Sequence, residues 1–111
     1  MKEYGLTLNL KDDPSTIEKY KRHHQAVWPE VERSLRQVGV TSMKIFLLGR
    51  RMFMYLTTVD DFEPTRDFAR YLTLDPRCQE WEDLMNSFQE KVPEAGPDEW
   101  WASMEQVYDL R

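Results

Sequence analysis

A chain of 111 residues, 41 % apolar and 13 % aromatic, is expected to form one domain over residues 1–111 around a single modest core. Its formal net charge of -5 argues against a nucleic-acid binder, which would need a basic face. The single cysteine, Cys78, excludes an internal disulfide and points to a reducing, cytoplasmic setting, while no run approaches the roughly 20 apolar residues of a membrane span and "MKEYGLTLNL" lacks the apolar stretch of a signal peptide.

The first predicted element is the strand "EYGLTLNL". Tyr4, Leu6, Leu8 and Leu10 alternate with Gly5, Thr7 and Asn9, as in a half-buried strand. In "KDDPSTIE", Asp13 is a good N-cap and Pro14 suits the first helical position. Ile17, Tyr20, His24, Val27, Val31, Leu35 and Val38 then recur in steps of three and four, so they share one helix face. Pro29 cannot donate to the Gln25 carbonyl, and its ring pushes on it. The helix should therefore kink or break between Gln25 and Trp28, restart at Pro29, and end at Gly39.

"SMKIFLLGRRMFMYLTTV" reads as a β-hairpin turning at Gly49, with "MFMYL", apolar on both faces, as a central strand. "DDFEPTRDFARYL" is a short helix capped near Asp61 or Glu63, with Phe68, Tyr71 and Leu72 facing in. A second helix starts at Asp75 and Pro76 and buries Cys78, Trp81, Leu84, Met85 and Phe88. "PEAGPDEWW" is a surface loop, and "MEQVYDL" is predicted as a last strand. This order gives an α+β fold, a ferredoxin-like βαββαβ sandwich of the dimeric α/β-barrel type. One sheet face is left uncovered, and a second copy of the sheet would cover it, so a homodimer is expected.

The two histidines of the chain, His23 and His24, are adjacent in "KRHHQAVWPE". Tyr20 and His24 lie one above the other on the inward face. Unpaired carbonyls where the helix stops favour a protonated imidazole, so His24 is the candidate acid or base, titrating near neutral pH beside a phenol. A histidine packed in the core has the same spacing. His23 is rotated about 100° away and is expected in solvent. Two neighbouring histidines on one turn do not suit a single metal, and no H-E-x-x-H, paired cysteines or carboxylate cluster is present, so no metal is expected. Nor is there a glycine-rich phosphate loop or a nucleophile elbow. The chemistry within reach is proton transfer without a cofactor. Trp28 and Trp81 are core anchors, and an indole beside Tyr20 and His24 also suits the apolar face of a sugar ring. Of Trp100 and Trp101, an extended segment would turn one outward, as a lid over a ligand or towards a partner.

"EKYKRHHQAVWPEV", a hairpin, "CQEWEDLM" and a closing "EQVYDL" together resemble the L-rhamnose mutarotase family over nearly the whole chain. The Y-x-x-x-H step followed by "VWPE" is the most specific piece. The resemblance implies a ferredoxin-like dimer that exchanges the α and β anomers of a 6-deoxy sugar. It implies His24 as the proton donor and Tyr20 as a substrate contact. The family's Trp-Trp pair after "CQ-x" becomes Trp81 and Glu82, and its sugar-contacting hairpin tyrosine falls at Met43. Those two departures leave L-rhamnose and L-fucose as rival substrates, with Glu82 and Met43 as candidate sugar contacts. A cofactor-free oxygenase or haem-degrading enzyme on the same dimeric fold is one alternative, and a non-catalytic sugar-binding or dimerisation module is another.

Overall fold

Four of the six prolines open a helix in the computed structural model, which describes residues 1–111. The elements are β1 (Lys2–Leu10), α1 (Pro14–His23), α2 (Pro29–Gln37), β2 (Val40–Leu48), β3 (Arg51–Thr58), α3 (Pro64–Leu74), α4 (Pro76–Phe88), β4 (Gln89–Glu90) and β5 (Ala102–Met104). A proline at the first helical position loses nothing, because its missing N–H would have had no intrahelical partner. Carboxylates complete three of these starts. Asp13 accepts from the Ser15 N–H, Glu63 from Thr65 and Arg66, and Asp75 from Arg77. At Pro29 the helix breaks outright, and residues 24–28 form a non-helical connection. Gly39, at φ +111°, ends α2.

The sheet runs β2-β3-β1-β4, with β5 also pairing with β1, and every pairing is antiparallel. This is the strand order of the expected ferredoxin-like sandwich, and β3 is indeed internal. The sheet does not close. Leu8, Leu10, Met52, Met54 and Leu56 point to the helix side and join Val31, Tyr71, Cys78 and Met85 in one core. The opposite face exposes Phe46 and Phe53, whose rings stack at 6.1 Å.

Three expectations change. The last strand is Ala102–Met104, and residues 105–111 carry no regular structure, with Val107, Tyr108 and Leu110 exposed. Pairing to β1 ends at Gly5↔Met104, and residues 105–111 leave the open edge of Lys2–Tyr4 unpaired. The fourth strand of the simple pattern is split, and Gln89–Glu90 pairs with the far end of β1. β1 is also buried on both faces in its second half. There the Thr7 hydroxyl donates to the Met52 carbonyl at 2.7 Å, and Asn9 Oδ1 accepts from Arg51 Nε at 2.8 Å.

Candidate active site

The break after α1 builds the site. With Pro29 forbidding a continuous helix, α1 stops at His23 and the next residue caps it. His24 then turns its ring back on the helix: Nδ1 lies 3.0 Å from the Tyr20 carbonyl oxygen. A carbonyl only accepts, so Nδ1 carries a proton and donates. Nε2 is left as the ring atom free to meet a ligand. The Tyr20 and His24 rings lie 4.3 Å apart, tilted by 32°. Trp81 of α4 closes this group edge-on at 5.4 Å from His24.

These three side chains line one end of a cavity of about 550 Å³, a size suited to a small molecule. Its walls come mainly from α1, the α1–α2 connection, α2 and the helix side of the sheet's edge strand β2, with Trp81 of α4 and Met52 of β3 completing them. Met43, Ile45 and Leu47 supply an apolar floor, while Gln25, Glu32, Arg36 and Ser42 bring polar groups to it. A mostly apolar wall with a few polar groups is what a sugar needs, since its ring has apolar faces and a hydroxyl edge.

Burial pushes the His24 pKa below the usual histidine value. The contact with the Tyr20 carbonyl pulls it back up, and His23 adds a smaller downward push. The expectation of a protonated imidazole is therefore corrected. The helix-end carbonyl acts in the foreseen direction, but loss of solvent outweighs it. The Tyr20 phenol is pushed up to about 12, chiefly by burial, with the polar Gln89 side chain opposing and Glu82 adding a small push upward.

Of the sequence-predicted site residues, Tyr20, His24, Trp81 and Met43 meet on the cavity wall, and Glu82 does not line it. Glu82 is half-buried, its carboxyl raised mainly by desolvation, and its charge acts on Tyr20 and on Tyr71 of α3. His23 also departs from expectation. It is half-buried, stacked on Phe88 at 5.7 Å and edge-on to Trp81 at 6.3 Å. The apolar side of α4 reaches past the core stripe and covers it. Trp28 is held between Trp81 at 5.1 Å and the Arg77 guanidinium at 3.6 Å. Trp100 and Trp101 are both half-buried against the core. They follow turns instead of forming a strand, so the alternation that would expose one does not apply. Gln89, 5 % exposed, has no motif or spacing in the sequence that would mark it.

The L-rhamnose mutarotase family model matches residues 3–110. A UPF0734 protein of Dictyostelium discoideum is 46 % identical over 98 % of this chain and 90 % of its own. The L-fucose mutarotase of Xanthomonas campestris pv. campestris is 38 % identical over 99 % of this chain and 89 % of its own. Among solved structures, the L-rhamnose mutarotase of Formosa agariphila superposes with a TM-score of 0.70 at 19 % identity, over 100 % of both chains.

Proposed function

The chain belongs to the L-rhamnose mutarotase family and is a carbohydrate isomerase of the anomer-exchanging kind; from that premise we propose that it works on a 6-deoxy-L-hexose, L-fucose before L-rhamnose, by general acid–base opening and closing of the ring. One observation carries the mechanism: a histidine whose Nδ1 is tied to a carbonyl, beside a phenol and an indole on one cavity wall.

Neutral His24 takes the anomeric hydroxyl proton at Nε2. The O–H electron pair becomes the second bond of the aldehyde, and the C1–O5 pair goes to the ring oxygen, which receives a proton from the Tyr20 hydroxyl. The aldehyde turns about C1–C2. Closure runs in reverse: Tyr20 recovers its proton from O5–H and His24 returns its own to the carbonyl oxygen. His24 is thus a base in opening and the proton donor in closing. Help of this kind is worth on the order of a hundred- to ten-thousandfold. The apolar face of the ring would rest on Trp81 and Met43. Glu82 would act on the sugar through Tyr20, whose phenol it helps to raise.

L-fucose is placed first because the relative at 38 % identity carries that name and because Glu82 and Met43 depart from the rhamnose-type pattern. We also read residues 1–111 as one domain that pairs into a homodimer, in a reducing compartment where buried Cys78 stays free. No helix is long and apolar enough to cross a membrane. The test is saturation-transfer NMR of anomeric protons over L-fucose, L-rhamnose and common D-hexoses. Faster exchange than buffer is expected for the two deoxy sugars, largest for L-fucose. No acceleration of either would end this reading.

A further inference from the structure

Glu32 and Arg36 line the cavity, yet the proton transfer uses neither. Both are exposed, so they stand at its mouth. No side-chain hydrogen bond or ion pair engages either one. Their neighbours on α2 are tied instead to the start of α4: Glu30 lies 3.8 Å from Arg77, and Arg33 lies 4.0 Å from Asp75. Residues 32 and 36 are four apart, so they share one helix face. That helix leads away from the catalytic end of the cavity. Its N-cap, Trp28, packs on Trp81, and Trp81 packs on His24. The Glu32 N–H donates to the Trp28 carbonyl one turn in, and Arg36 follows about 6 Å further along the axis. Side chains on a helix lean towards its N-terminus, so both reach back towards the His24 end.

The geometry points to Glu32 and Arg36 as the pair that reads the sugar hydroxyls farthest from C1, and so sets which 6-deoxy-L-hexose is preferred. This rests on the reading of the cavity as the sugar site. With C1 held at His24, the C4 hydroxyl lies on the opposite side of the ring, next to that of C3. A sugar hydroxyl both donates and accepts. A carboxylate that accepts and a guanidinium that donates, one turn apart, therefore satisfy both sides of such a neighbouring pair. L-fucose and L-rhamnose share their configuration at C3 and differ at C2 and C4. The C4 oxygen is axial in the first and equatorial in the second. Groups carried on one helix face cannot meet both directions equally. A site built to bond a hydroxyl also discriminates more strongly than an apolar wall, because a misplaced hydroxyl leaves its partners unpaired.

The test crosses variants of the full chain with sugars, read by anomer exchange over a range of concentrations. The sugars are L-fucose, L-rhamnose and 4-deoxy-L-fucose, which lacks the hydroxyl in question. Glu32→Ala and Arg36→Met should each lower kcat/KM for L-fucose about tenfold to a hundredfold, the worth of a hydrogen bond to a charged group. The loss should fall on KM and leave kcat nearly unchanged, as for contacts made equally before and during the reaction. Both variants should cost little on the 4-deoxy sugar, and the ratio of L-fucose to L-rhamnose should move towards one. Glu32→Gln, which keeps one acceptor, should lose less than Glu32→Ala. A merely structural role would lower all three sugars alike, and that result overturns the proposal, as does a loss confined to kcat. Sugar binding by ligand-observed NMR keeps the two readings apart. If the native protein binds these sugars without exchanging their anomers, the isomerase reading falls, and the same comparison read as Kd decides this one. If it neither binds nor exchanges them, both fall.

Discussion

His24 is pulled in two directions, and burial wins. The unprotonated ring is the form that can take a proton, so the acid limb of kcat/KM should have its midpoint below the usual histidine value of about 6.5. Activity is retained above that midpoint and lost as the pH falls through it. A midpoint above 6.5 would mean that the Tyr20 carbonyl outweighs burial. The same exchange assay separates the neighbours. His24→Ala should cost at least about a hundredfold. Tyr20→Phe should cost less, since it keeps the ring and loses one hydroxyl. His23→Ala should cost little in rate, because His23 does not line the cavity, although loss of its stacking on Phe88 should lower the melting temperature. Circular dichroism on each variant keeps folding and catalysis apart.

The elements that matter most to the site are the two short helices and the turn that seats the second on the sheet. Gly39 is where α2 hands the chain to β2, at φ +111°, a backbone conformation that residues with a Cβ rarely adopt. A Cβ there would come within 2.7 Å of Val59 Cγ2. The Gly39 carbonyl also accepts from the Val59 N–H at 2.9 Å, which locks the turn. Gly39→Ala should therefore destabilise the fold by about 1–2 kcal/mol from backbone strain, before any clash is counted. Urea unfolding measures it, and an unchanged midpoint would show that the turn relaxes freely. The Glu63 N-cap of α3 is reinforced from within the helix, where buried Asp67 accepts the Glu63 N–H at 2.8 Å and pairs with Arg66. These contacts hold the Asp67 carboxyl well below the usual carboxylate range. Its stabilisation is present above that range and is lost as the pH falls through the lowered value.

Across the whole molecule, helices cover one face of the sheet and nothing covers the other. Phe46 is 56 % exposed, Leu48 86 % and Met104 50 %. Phe53 lies beside them, and the tail beyond β5 adds exposed Val107, Tyr108 and Leu110. Apolar surface gathered in this way marks an interface. A two-fold pair that packs the open faces together buries it on both copies at once. The expected state at micromolar concentration is a dimer by light scattering. Phe46→Glu should split it, since a pair related by two-fold symmetry would bury two new charges. A native monomer at that concentration would contradict this arrangement.

The features that the sequence determined by itself are local ones. Asp13 with Pro14 and Asp75 with Pro76 start helices because capping and a missing N–H act within a single turn. The break before Pro29 follows from one absent donor and one steric contact. The alternation of β1 and the two apolar faces of "MFMYL" named a strand and a central one, because side-chain direction along a strand repeats every two residues. Helical spacing alone brought Tyr20, His24 and Trp81 to the inward faces that now meet. What only the tertiary structure decided depends on groups distant in the chain. The His24 pKa is lowered because other elements exclude water from it, and His23 is covered by α4. Glu82 stands off the wall that Trp81 lines, although the two are adjacent. Gln89 and Trp100, eleven residues apart across a loop, have no periodicity that could pair them. Burial and hydrogen-bond partnership are properties of the assembled chain, and no short stretch of sequence carries them.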